Sequence, residues 1–271
     1  MAGTLIVNPR AGDSRPSAEE LAEAAGSLEV AVHVLAEGDD LERLAREAPA
    51  GPLGMAGGDG SLAPVAAACV ERDLPFVCVP FGTRNHFARD LGLDRGDPLA
   101  ALAAFGADAV ERRVDVGRAG ERLFLNNVSL GLYAGLVHDR ERRRRSREAF
   151  ARLRALRRLV SEREPVALTL DGAPLQAHLL LVANNPYTPM QAFSAGERER
   201  LDSGRLALYV GSGALPPHWE ERLLERVVVG SPAGTVRAAI DGEPAELATP
   251  LELESLPGAL RVLVPAGRMA E

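Results

Sequence analysis

Along the first hundred residues, short apolar runs alternate with stretches whose apolar positions recur every three or four residues. TLIVN (4–8), LEVAVHVLA (28–36), GPLGMAG (51–57) and PFVCVPF (75–81) read as strands. Between them, the stretch after Ser17, DDLERLAREA (39–48) and SLAPVAAACVERD (61–73) read as helices. Ser17 with Glu20 three residues on has the spacing of a capping box, and Ser61 is placed to cap the helix it opens. Strand–helix alternation of this kind predicts an α/β fold, a Rossmann-like parallel sheet with helices on both faces. In open sheets of that type ligands bind at the carboxyl ends of the strands. The loops beginning at Asn8, Gly57 and Phe81 are therefore expected on one edge, as one site.

The rhythm changes near residue 110. AVERRVDVG, RLFLNNVSLG, PVALTLDG, LQAHLLLVANN, RLALYVG, VRAAIDGEPAEL and ALRVLVP are short strand-like runs separated by turn residues, with Asp171-Gly172 and Asp241-Gly242 as hairpin signals. The expected organisation is an α/β domain over 1–113, to which the tail 258–271 can return. A β-rich, sandwich-like domain over 114–257 follows it. One charged helix, at about 139–161, interrupts the second domain.

Charge narrows the function classes. The net charge of −7 argues against a nucleic-acid partner. All 31 basic residues are arginine, for the chain has no lysine. That removes the P-loop signature, protein-kinase chemistry and Schiff-base enzymes, each of which needs one. Cys69 and Cys78 sit in apolar runs without metal-ligand spacing and read as reduced core thiols. The N-terminal apolar run is shorter than a signal peptide needs, and no window approaches a spanning helix. The expected location is the cytoplasm, with peripheral membrane contact as the alternative.

GGDGS (57–61) lies between a strand and a helix, where a glycine turn can cradle phosphate with backbone N–H groups and a helix N-terminus. An ordinary strand–helix turn reads the same way. PFGTRNHFARDLG (80–92) adds a second glycine turn on the same sheet edge. Together, NPRAG (8–12), GGDGS, PFGTRNHFARDLG, VDVG (114–117) and IDGE (240–243) occur in the order of the diacylglycerol kinase catalytic-domain family, and the chain resembles it over nearly its whole length. That family takes in bacterial lipid kinases and ceramide and sphingosine kinases, and is related to NAD kinases and phosphofructokinases.

The resemblance implies an ATP- and Mg²⁺-dependent kinase of a lipid hydroxyl. By it, ATP phosphates meet Gly57, Gly58, Asp59, Gly60, Ser61 and Thr83; Asn8 lies near the nucleotide and Asn85 orders the second turn. Asp241 resembles the general base, with Glu243 as a second catalytic carboxylate beside it. Read from spacing alone, Asp241-Gly242 is a hairpin turn. Asp59 and Asp202 are the candidate Mg²⁺ ligands. Three departures stand against the pattern: His86 replaces the family's aspartate in G-T-x-N-D-F-A-R, Ser203 replaces an aspartate before Gly204, and 184–197 lacks a glycine-rich run. They favour two alternatives, a nucleotide-binding homologue without catalysis and a kinase of a non-lipid small molecule.

Within 140–158 ten arginines face two glutamates, and Phe150, Leu153, Leu156, Leu159 and Val160 fall at helical spacing. A basic amphipathic helix over 139–163 can lie on an anionic membrane. It can equally pack its stripe on its own domain, or on a second copy in a homodimer.

Overall fold

The computed structural model describes residues 3–12, 16–131, 166–177, 179–188, 196–212 and 218–267. The basic segment expected as a helix over 139–163 lies outside them, as do residues 189–195 of the departure at 184–197. The chain forms two units. The first comprises Met1–Val116, Glu199–Ser203 and Leu256–Glu271; the second comprises Gly117–Arg198 and Gly204–Ser255.

The first unit opens with β1 (Thr4–Val7), α1 (Ala18–Gly26), β2 (Ala31–Val34), α2 (Leu41–Glu47), β3 (Leu53–Gly57), α3 (Asp59–Arg72) and β4 (Phe76–Pro80). α4 (His86–Asp90) and α5 (Pro98–Ala101) follow. α1 starts with the expected capping box: Glu20 N donates to Ser17 Oγ and Ser17 N to Glu20 Oε2. α3 begins two residues earlier than its apolar pattern suggests. Its N-cap is Gly58, so Ser61 is the third helical residue and not the cap.

The parallel strands run in the order β2-β1-β3-β4. The step from β1 to β2 goes one way along the sheet; the steps to β3 and β4 go the other. Right-handed crossovers then put α1 on one face and α2 and α3 on the opposite face. Accordingly α1 packs with α5, and α2 with α3. Strands buried on both faces carry continuous apolar runs, and every residue of β3 and β4 is buried. The core beside α1 gathers Leu5, Val7, Leu21, Ala25, Val77 and Val79. Cys69 and Cys78 are buried free thiols. Burial pushes Cys69 up to about 12 and Cys78 higher still, with the Asp59 carboxylate adding to the rise at Cys78.

β5 (Val110–Ala119) leads into the second unit, where β6 (Arg122–Phe124), β7 (Asn127–Gly131), β8 (Val166–Leu170), β9 (Ala173–Ala177), β10 (Leu179–Asn184), β11 (Leu206–Ser212), β12 (His218–Leu224), β13 (Arg226–Gly230), β14 (Thr235–Ile240) and β15 (Glu243–Ala248) are antiparallel. β16 (Leu251–Val264) pairs β13 with its first residues and, with Val262 and Leu263, runs parallel to β4 in the first unit's sheet. One sheet has the order β12-β11-β10-β7-β14-β15. Alternate residues of its strands, Leu180 and Val182, Leu206 and Leu208, Ala238 and Ile240, join Leu168, Leu170, Val227, Val229 and Leu253 of the facing strands in one core. That is the sandwich-like arrangement the second half of the sequence suggests.

Both Asp-Gly signals are hairpin turns. Asp171 and Asp241 have φ of 50° and 48°, followed by glycines at 82° and 89°, the two positive φ values of a type I′ turn. RLFLNNVSLG, expected as one strand, is divided between β6 and β7 because the amides of residues 125–127 turn away to the Asp241 carboxylate.

Candidate functional site: two glycine turns and a carboxylate cradle

Where β1 and β3 lie side by side, the connections leave in opposite directions, which opens a crevice at their carboxyl ends. Asn8 and Gly57 stand there. Asn8 Nδ2 donates to Ser61 Oγ at 3.1 Å, Asn8 Oδ1 accepts Arg10 N at 3.0 Å, and Asn8 N donates to Ala56 O. One side chain thus ties the loop after β1 to the first turn of α3.

The third loop is locked onto the second by backbone. A Cβ on Gly82 would fall 2.3 Å from Gly58 Cα and 2.9 Å from Gly58 N; one on Gly12, whose φ is +70°, would fall 2.5 Å from Phe81 O. No side chain fits between these turns, so the loops expected on one edge meet there through their main chains. Asn85 completes the junction. Buried and left-handed (φ 50°, ψ 50°), it accepts Gly82 N at 2.9 Å and donates to Gly82 O at 2.7 Å, closing the second turn on itself.

That use of Asn85 leaves α4 without a cap from its own N-cap residue. Asp59 supplies it: His86 N donates to Asp59 Oδ2 and Phe87 N to Oδ1, both at 3.1 Å. The carboxylate joins the start of α3 to the start of α4. At α3 itself no side chain caps Gly58, so that helix end presents its amides without a capping oxygen. Thr83 is exposed on the second turn.

His86 is half-buried. Burial pushes its pKa below the ordinary value; Asp59 and Asp90 oppose the shift, while Arg89 and Arg84 add to it. The ring is therefore neutral at pH 7. Asp202 lies apart from this junction in its bonding, its Oδ1 taking Arg200 Nε at 2.8 Å on an exposed stretch. Among the described residues no three His, Cys, Asp or Glu side chains form a metal-binding group.

In the second unit Asp241 occupies the β14–β15 turn. Its carboxylate accepts Leu125 N at 2.8 Å on Oδ2, and Asn126 N at 2.7 Å and Asn127 N at 3.0 Å on Oδ1. Asp241 N donates to Asn127 O. Glu243, first residue of β15, is exposed. The opposite side of the 125–127 segment meets a residue that periodicity gave no reason to single out. Arg198 is buried, and its guanidinium donates to Leu125 O at 2.6 Å, Asn184 O at 3.0 Å and Asn126 Oδ1 at 2.7 Å. It also lies 5.7 Å from the centre of the Tyr187 ring, whose hydroxyl takes Asn127 Nδ2. The paired asparagines at 126–127 and 184–185, polar residues ending apolar runs, were the available signal.

A family model, the diacylglycerol kinase catalytic domain, matches residues 2–119. A probable lipid kinase YegS-like protein of Chromohalobacter salexigens is 34% identical over 132 residues, 44% of this chain and 42% of that protein. A diacylglycerol kinase of Bacillus subtilis is 30% identical over 116 residues, 41% of this chain and 38% of its own length. These matches span about two fifths of the curated relatives. A crystal structure of a diacylglycerol kinase from Bacillus anthracis shares the fold over 98% of this chain and 97% of its own, with a TM-score of 0.68 at 19% identity. The motifs NPRAG, GGDGS, PFGTRNHFARDLG and VDVG all fall within the matched stretch, so over residues 2–119 the chain is similar to the diacylglycerol kinase catalytic domain.

Proposed function

We propose that the protein is an ATP- and Mg²⁺-dependent kinase that phosphorylates a lipid hydroxyl. The observation that carries this reading is the main-chain junction of Gly58 with Gly82 beside the uncapped start of α3. Such a cradle offers N–H groups to phosphate oxygens without a lysine. In this reading the amides of Gly57 to Ser61 and of Thr83 receive the ATP phosphates, while Asn8 and Asn85 keep the two turns in place. The acceptor hydroxyl oxygen bonds to the γ-phosphorus, the bond from that phosphorus to the ADP oxygen breaks, and the hydroxyl proton passes to Asp241. Glu243 stands beside Asp241 as the second carboxylate.

When bound, Mg²⁺ neutralises charge on the phosphate oxygens. A divalent cation of this kind would be held by one or two carboxylates. Asp59 and Asp202 are the carboxylates that would hold it, though both Asp59 oxygens also accept α4 amides and Asp202 bonds Arg200; the neutral His86 adds no anionic ligand.

His86 and Ser203 favour a second reading, a nucleotide-binding homologue without turnover. One assay separates them: γ-labelled ATP with a mixed lipid extract, comparing the wild type with Asp241→Asn. Asparagine keeps the left-handed turn but sets an NH₂ against a backbone donor, so melting is followed alongside. Label in the organic phase, lost in a folded variant, supports the lipid kinase. Label only in an aqueous product favours a non-lipid acceptor, and ATP binding with no transfer favours the second reading.

A further inference from the structure

We infer that Arg198 is a positioning residue for Asp241, acting through the backbone of residues 125–127. The inference rests on the reading of Asp241 as the proton acceptor. Three consecutive amides, 125–127, point at the Asp241 carboxylate at 2.7–3.0 Å. The Arg198 guanidinium holds the same segment from its other side, by Leu125 O at 2.6 Å and Asn126 Oδ1 at 2.7 Å. A third bond, to Asn184 O, and the Tyr187 ring fix the guanidinium itself. The path from cation to carboxylate is therefore one peptide segment wide, with hydrogen bonds on both sides.

A strand pair needs no such device. Taking a guanidinium out of water is costly, and apolar residues of similar volume are often as stabilising. Here the bonded segment is the join of β6 and β7: Leu125 and Asn126 belong to neither strand, and Asn127, paired with Ala183, opens β7. Arg198 adds hydrogen bonds where the two strands are interrupted, at the place where a carboxylate must be aimed. Tyr187 extends the clamp, since its hydroxyl accepts Asn127 Nδ2 and its N–H donates to Tyr209 Oη at 2.9 Å.

The test uses the full chain with Arg198→Met, Arg198→Lys and the milder Asn126→Ala, which removes one acceptor of the guanidinium. Phosphoryl transfer to lipid in Arg198→Met is expected to lose kcat by roughly 10- to 100-fold while the KM for ATP stays within about twofold, the split expected when aim is lost and binding is not. Lysine is expected to restore part of the loss, and Asn126→Ala to show the same split more weakly. A folded Arg198→Met with wild-type kcat overturns the inference, as does a parallel collapse of kcat and ATP binding. A second measurement needs no turnover: amide hydrogen exchange at 125–127 is expected to quicken at least about tenfold in Arg198→Met, with Leu53–Gly57 unchanged. Equal exchange rates overturn the link even in an active kinase. Faster exchange in a chain that transfers no phosphate upholds the link while the lipid-kinase reading falls.

Discussion

A methyl group on Gly82 would stand inside the van der Waals radius of Gly58, a backbone atom that cannot rotate away. Gly82→Ala is therefore expected to force the two turns apart. Overpacking of this kind costs about 1–3 kcal/mol, which denaturant unfolding measures, and nucleotide affinity should fall with it. His86 gives a pH-dependent expectation. Its folded pKa is depressed, so the unfolded chain takes up the proton first as pH falls. The stability contributed by the neutral ring is thus complete above the unfolded value of 6.5 and is lost as pH drops through the lower folded value. Compared with His86→Gln, which does not titrate there, the wild type should lose stability progressively between pH 7.5 and pH 5. A constant difference over that range would show that the ring is not the source.

Elements were legible where one local rule decided them. α1 shows this most simply, because Ser17 and Glu20 carry both halves of the cap in their spacing. Ser17→Ala should cost about 1 kcal/mol and fray α1 first, which amide exchange in residues 18–21 would register. Legibility ended where one element was finished by another far away in the chain. α4 is capped by Asp59, 27 residues distant from His86, and β6 parts from β7 because of Asp241, 115 residues from Asn126. No window of sequence contains those pairs. β12 escaped notice for a different reason. It is an edge strand with Glu220, Glu221, Arg222 and Leu223 all exposed, so it has no apolar alternation to read. The candidate residues behaved likewise: Asn8, Gly58, Asn85 and Asp241 were marked by motif, and Arg198 was not, since its role lies in a three-dimensional contact with 125–127.

At the scale of the molecule, the formal charge of −7 and the arginine-rich 139–163 segment are at odds, and the local cluster is what an anionic surface would meet. Sedimentation with vesicles containing anionic lipid should be measurable at low salt and weaken at about 0.5 M, as screening shortens the reach of surface charge. Replacing Arg142 to Arg145 by glutamine should weaken it in the same way; salt-independent sedimentation would exclude a charge-driven contact. No helix among the described residues is long and apolar enough to cross a membrane. The return of β16 to β4 has a practical consequence for anyone dividing this chain. The family model stops at residue 119, but Val262 and Leu263 complete the sheet, and Arg261 pairs with Glu111 at 2.7 Å. A fragment ending at 119 would carry both glycine turns proposed to bind phosphate and yet expose one flank of β4 as an open ladder, an invitation to pair with the next copy. Such a fragment should express as aggregate, and adding the last sixteen residues through a short linker should render it monodisperse. The stretch that the family model matches and the unit that folds do not share a boundary in this protein.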